Sequence, residues 1–90
     1  MKRAVITVVG KDSVGIIASI CTYLADRGIN ILDISQTIVD GYFNMMMVID
    51  ATSIDDQFAS VSKDIKKLGR QLGMDIHCQK EEIFESMHRI

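Results

Sequence analysis

Ile38-Val39-Asp40-Gly41-Tyr42-Phe43 is the stretch that decides how this chain folds. An Asp-Gly pair between two β-type runs suits the positive φ angles of a type I′ turn, whose twist matches that of the strands it joins. It predicts a two-residue hairpin and fixes the register. Val39 faces Tyr42, Ile38 faces Phe43, Gln36 faces Met45, Ile34 faces Met47 and Leu32 faces Ile49. Apart from Gln36 that face is apolar on both strands, which predicts a continuous core surface. The other face pairs Thr37 with Asn44, Ser35 with Met46 and Asp33 with Val48, a mixed surface predicted to be only partly covered.

Upstream of the hairpin, Asn30 opens the strand Ile31 to Val39. Before it, Ile17, Ile20, Cys21 and Leu24 recur at helical spacing, which predicts a helix from about Val14 to Arg27. Asp12 or Ser13 is the candidate N-cap, and Gly28 suits the left-handed residue that ends a helix. The β-branched run Ala4-Val5-Ile6-Thr7-Val8-Val9 predicts a first strand from about Lys2 to Val9.

Downstream, Ser53-Ile54-Asp55-Asp56 is a Ser-x-x-Asp variant of the capping box, which predicts a helix starting near Ile54. Phe58, Val61, Ile65, Leu68 and Leu72 form its apolar stripe, Gly69 interrupts it, and Gly73 suits its C-terminal end. Met74 to Cys78 alternates as a fourth strand. Glu81 to Ile90 places Ile83, Phe84, Met87 and Ile90 in one helical arc, a helix too short to be stable undocked. The order β-α-β-β-α-β, with one tight hairpin and two helical crossovers, predicts an α+β ferredoxin-like sandwich. It has a four-stranded antiparallel sheet with two helices on one face, plus a short C-terminal helix.

Ninety residues predict a single domain spanning 1–90. Hydrophobic residues make up 48% of the chain and aromatics 6%, so Ile, Val, Leu and Met must fill the core. The chain has no proline and no low-complexity tract, which argues against linkers and disorder. A net charge of −2 gives no general attraction to nucleic acid or anionic membrane. No apolar run approaches the roughly 20 residues of a membrane span. Met1-Lys2-Arg3 leads into a run too short and too β-branched for a secretory signal, so a cytoplasmic protein is expected. Cys21 and Cys78 lack ligand spacing and each lies on an apolar stripe, which reads as two buried free thiols.

The turn Gly10-Lys11-Asp12-Ser13-Val14-Gly15 joins the first strand to the first helix. A helix start leaves backbone N–H groups without intrahelical partners, and with the helix dipole these suit a carboxylate or another anion. Other signals carry less. Lys63, Lys66, Lys67 and Arg70 form a basic stripe on the second helix, broken by Asp64, which a solvated helix face explains. The first strand lacks the stacking aromatics that RNA-recognition sheets use. Met46 and Val48 on the open face suggest cover from a second subunit or the terminal helix. His77 and His88 have neither an adjacent nucleophile nor a second ligand at metal spacing. No catalytic constellation or nucleotide loop can be built, so no catalytic residue, metal or cofactor is expected.

The residues Val8-Val9-Gly10-Lys11-Asp12-Ser13-Val14-Gly15-Ile16 and Arg27-Gly28-Ile29-Asn30-Ile31-Leu32-Asp33-Ile34 resemble an ACT domain over nearly the whole chain. Ile34-Ser35-Gln36-Thr37 and Glu82-Ile83-Phe84-Glu85 are similar to stand-alone ACT proteins and to the ACT part of the glycine-cleavage regulator. The resemblance implies binding of a small molecule, typically an amino acid, near a homodimer interface, with regulation of an enzyme or of transcription as the outcome. It places ligand contacts at Asp12, Ser13, Val14, Gly15 and Ile16 in the turn, and at Asn30 and Ile31 at the start of the second strand. Val14 stands where the family often has proline, and Gly10 where serine-binding members carry histidine.

On this assignment the N–H groups of Ser13 to Ile16 take the ligand carboxylate, Asp12 pairs with its ammonium group and the Asn30 amide bridges either. A structural reading of the same residues stands beside it: Asp12 as a cap, Gly15 for close packing, Asn30 as a turn residue. Two functions follow, a non-catalytic amino-acid-binding regulator and a ligand-independent dimerisation module that docks on an enzyme or regulator.

Overall fold

The structure, a computed structural model, describes residues 2–11 and 15–82. The chain runs through β1 (Arg3–Lys11), α1 (Ile16–Asp26), β2 (Ile31–Val39), β3 (Tyr42–Asp50), a 3-10 segment (Thr52–Gln57), α2 (Phe58–Gln71) and β4 (Asp75–Lys80). The strands form one antiparallel sheet in the order β2-β3-β1-β4. This is the predicted ferredoxin-like βαββαβ arrangement.

The hairpin forms as its turn chemistry requires, with Asp40 at φ 51° and Gly41 at φ 81°. The predicted register holds from Val39–Tyr42 to Asp33–Val48 and then slips. Ile31, not Leu32, stands opposite Ile49, because a β-bulge inserts Leu32 as an extra residue. The Asp33 carboxylate accepts the N–H of Ile34 at 2.8 Å just beyond that bulge.

Burial departs from the expected continuous hairpin core. Phe43, Met45, Met47 and Ile49 of β3 are buried, but every residue of β2 is exposed. Ile16, Ile20 and Leu24 of α1 and Val61 and Ile65 of α2 close the core over β1, β3 and β4, and β2 contributes nothing to it. Between the helices, Asp64 of α2 accepts hydrogen bonds from the Tyr23 hydroxyl at 2.8 Å and from Arg27 at 3.2 Å, and the Arg27 guanidinium lies 4.7 Å from the Tyr23 ring centre. This clamp joins α1 to α2.

Both helices begin later than predicted. The N-cap position of α1 is Gly15, left-handed at φ 92°, and the candidate caps Asp12 and Ser13 lie outside the described residues. At the second helix the Ser53–Asp56 capping box does not form. Instead the Asp50 carboxylate accepts from the Thr52 hydroxyl at 2.6 Å and from its N–H at 3.0 Å, and a 3-10 segment occupies Thr52–Gln57. Those bonds also hold the Asp50 carboxyl below the usual carboxylate range. The glycine inside α2 has a packing reason: a Cβ on Gly69 would lie 2.6 Å from Ile76 Cγ1 and 3.0 Å from the Met74 carbonyl oxygen. Of the predicted terminal helix over residues 81–90, Glu81 and Glu82 are helical and residues 83–90 lie outside the described residues.

Candidate functional site

β1 carries the turn to one end of the sheet and β2 starts at the other. Gly10 stands opposite Phe43, near the hairpin, whereas the Asn30 carbonyl accepts the N–H of Asp50 at 2.9 Å. From Phe43 to Asp50 along β3 is about 24 Å at ~3.4 Å per residue, far more than an amino acid spans. One protomer therefore cannot place both the turn and Asn30 on a single small ligand.

Of the candidate site residues, Asp12, Ser13 and Val14 lie outside the described residues. Gly15 is exposed, with open space where a Cβ would sit. Ile16 sends its side chain into the core and is 2% exposed, which leaves only its backbone to a ligand. Asn30 is exposed, and Ile31 beside it is 38% exposed. Gly10 is constrained by contact. A Cβ there would come within 2.4 Å of Met74 Sδ, so the thioether occupies the space that any side chain at position 10 would need.

The β2 edge is the other feature of the site. Ile31, Ile34 and Ile38 flank the buried Ile49, Met47 and Phe43 in the ladder yet are 38%, 41% and 62% exposed. An edge strand offers unpaired N–H and C=O groups as well, a ready template for another strand. On the open face of the sheet, Val9, Tyr42 and Met46 are also exposed.

The remaining chemistry of the described residues is structural. Burial first, then the hydrogen bond to Asp64, push the Tyr23 phenol up to about 12. Burial pushes the Cys78 thiol up to about 12, a poor nucleophile, and Cys21 is half-buried. His77 sits exposed on the open face, 3.1 Å from Asp75. Among the described residues no group of three or more His, Cys, Asp or Glu is placed to hold a metal. Nor, among the described residues, is any helix long and apolar enough to cross a membrane. A cavity of about 420 Å³ lies at the Arg3 end of the sheet beside β4 and touches no candidate residue. Two ion pairs line it, Arg3 with Glu81 at 3.8 Å and Lys80 with Asp55 at 3.4 Å.

A four-stranded antiparallel sheet, two helices on one face and a glycine turn leading into the first helix define a small ferredoxin-like α+β module. The sequence pattern of the ACT domain matches residues 2–79, and the chain belongs to the ACT domain family. Its relatives include a UPF0237 protein of Bifidobacterium longum, 56% identical over the full length of both chains. A second, from Methanocaldococcus jannaschii, is 46% identical, again over both full lengths. Among solved structures, an ACT domain protein from Streptococcus pneumoniae superposes with a TM-score of 0.81 at 40% identity, covering 97% of this chain and 98% of that one. A protein assigned as a glycine cleavage system transcriptional repressor shares the fold, with a TM-score of 0.76 at 24% identity, and this chain spans 45% of it. ACT domains are commonly regulatory ligand-binding modules rather than catalytic ones.

Proposed function

We propose that this chain is a cytoplasmic, non-catalytic regulatory module that binds an amino acid as a homodimer. The observation that carries the reading is the start of α1. Gly15 adopts a left-handed conformation at the N-cap, no side chain among the described residues caps the helix, and the first helical hydrogen bond runs from Ser19 N–H to the Gly15 carbonyl at 2.9 Å. The N–H groups of Ile16, Ile17 and Ala18 therefore precede the helical ladder and face the turn, where a ligand carboxylate gains from both the donors and the helix dipole. Asp12 pairs with the ammonium group.

Asn30 joins this site only from a second copy. Antiparallel pairing of two β2 edges sets the Asn30 end of one protomer beside the hairpin end of the other. The partner's Asn30 then lies about three strand spacings, ~14 Å, from the end of β1, nearer than the Asn30 of the same protomer. The pairing also covers Ile31, Ile34 and Ile38, whose exposure in one protomer supports it. Each dimer then has two equivalent sites, both complete only across the boundary. The free thiols are in keeping with a reducing compartment.

A thermal-shift screen of the twenty amino acids tests the reading. An amino acid present at ~100 times its Kd adds about 2.7 kcal/mol of stability, and both Asp12→Ala and Asn30→Ala remove the shift. A flat response to all twenty at millimolar concentration overturns it. The exposed Val9, Tyr42 and Met46 favour a second reading, docking on an enzyme or regulator without a ligand. That reading predicts a flat screen together with loss of partner capture in Met46→Lys.

A further inference from the structure

We infer that the outer face of α2, which carries Lys63, Lys66, Lys67 and Arg70, is a docking surface for an acidic helix of a partner protein. The inference goes beyond the ligand-binding reading and holds whether or not an amino acid binds.

All four side chains are exposed. At about 100° per residue they fall within one arc of roughly 100°, and along the helix axis they span about 10 Å. Each stands three or four residues from two of the others, the spacing at which side chains on a helix are neighbours. Asp64, the acid that interrupts them in the sequence, lies off this arc. It faces α1, where it accepts from Tyr23 at 2.8 Å and from Arg27 at 3.2 Å. The basic patch is therefore unbroken in the fold.

Among the described residues none of the four is in an ion pair, whereas Arg3, Arg27 and Lys80 are each paired with an acid, at 3.8, 3.2 and 3.4 Å. Like charges at these spacings repel and cost helix stability. Asp64 is the only acid of α2 and is committed to α1, so the relief has to come from outside the helix. A cavity of about 310 Å³ lies at the C-terminal end of the patch, bordered by Lys66, Arg70 and Asp75 over Met74 and Ile76. Its acid, Asp75, lies 3.1 Å from His77 rather than against either cation.

Charge complementarity selects the partner. The chain carries −2 overall, so setting aside these four cations leaves −6 on the rest of it. A nucleic acid would run beyond a patch of about 10 Å onto that acidic remainder. A helix with Asp or Glu at i, i+3, i+4 and i+7 instead matches the four cations one for one, and Arg70 offers its fork to a carboxylate. The face is also free. α2 sits on β4, where Ser62 donates to the Cys78 carbonyl at 3.1 Å, at the sheet edge away from β2 and from the proposed homodimer contact.

The test titrates the full-length protein at low salt against three fluorescent probes. These are a helical peptide with glutamate at those four positions, a peptide of the same composition with its glutamates spread round the helix, and a DNA duplex. The patterned peptide is expected to bind best, about fivefold more tightly than the scrambled one, and to weaken as salt rises. Lys66→Glu/Arg70→Glu is expected to cut its affinity about tenfold, and Lys66→Gln/Arg70→Gln less, with circular dichroism unchanged. Lys2→Glu/Arg3→Glu, the same charge change at the start of β1, leaves it nearly intact. No binding of the patterned peptide, equal binding of the two peptides, tighter binding of DNA, or an equal loss in Lys2→Glu/Arg3→Glu overturns the inference. So does a lower mass of Lys66→Glu/Arg70→Glu by light scattering, which would give the face to a second copy. The amino-acid screen is unaffected by these variants, so its failure and the failure of this inference are separate results.

Discussion

At one edge of the sheet β4 lies beneath α2, with Ile76 1% and Cys78 7% exposed and Gly69 of the helix pressed against Ile76. At the other edge every residue of β2 faces solvent, although Ile34 and Ile38 are as apolar as anything in β4. The two strands differ in what covers them rather than in composition. α2 packs onto β4 with Gly69 close against Ile76, whereas neither helix buries β2, although the Tyr23–Arg27–Asp64 clamp joins α1 to α2. One edge is finished within the protomer. The other is left open, and the proposed homodimer and its candidate ligand site depend on that difference.

The sharpest way to break the comparison is to cut a side chain on each edge. Ile76→Ala should destabilise the protomer by about 2–5 kcal/mol in urea unfolding, the range for deleting a buried branched side chain. Ile34→Asp, on the exposed edge, should shift the unfolding of dilute protein by only about 0.5 kcal/mol while light scattering reports half the wild-type mass. Equal losses of stability at the two positions would mean that β2 belongs to the protomer core.

Gly69→Ala probes the close contact beneath α2. Alanine favours the helix by about 1 kcal/mol over glycine, yet its Cβ would meet Ile76 and the Met74 carbonyl, and overpacking typically costs ~1–3 kcal/mol. A net destabilisation of about 1 kcal/mol is expected, and a stabilised variant would show that the contact is looser than described. Cys78, on the same buried edge, should resist Ellman's reagent at pH 8 until the protein unfolds, measured in a Cys21→Ser background.

The clamp gives the smallest effect and a signed pH dependence. The folded pKa of Tyr23, about 12, lies above the ordinary value of 10.0. Its contribution to stability is therefore fully present below about pH 10 and is lost as pH rises toward 12. Ultraviolet titration in a Tyr42→Phe background should show this late phenol, and Asp64→Asn should bring it down. An unchanged titration would remove Asp64 from the clamp.

How legible all this was in the sequence depended on range. Asp40-Gly41 is a local signal, and it fixed the hairpin down to Asp33. The bulge at Leu32 was not legible, because it requires both strands and the Asp33–Ile34 bond to be seen together. Ser53 and Asp56 had capping spacing, but Asp50 bonds Thr52 first and turns the segment into a 3-10 helix. Ile34 and Ile38 predicted a buried face that the protomer leaves exposed, since alternation marks an apolar face but cannot say what covers it. Asp64 looked like an interruption in a basic stripe and proved to be the acceptor that joins the helices. Gly10 read as a missing side chain, and the structure shows that Met74 has taken its room.

The central claim is that the Gly10–Gly15 turn of one protomer and Asn30 of another form one site. It is tested most directly by mixing two inactive variants. Asp12→Ala and Asn30→Ala homodimers each have both sites damaged, whereas a mixed dimer has one site with both defects and one with neither. Co-refolding equal amounts should therefore restore about a quarter of the wild-type capacity for the amino acid that binds best, read by titration calorimetry. No recovery, with mixed dimers confirmed by mass, would contradict a site shared across the boundary.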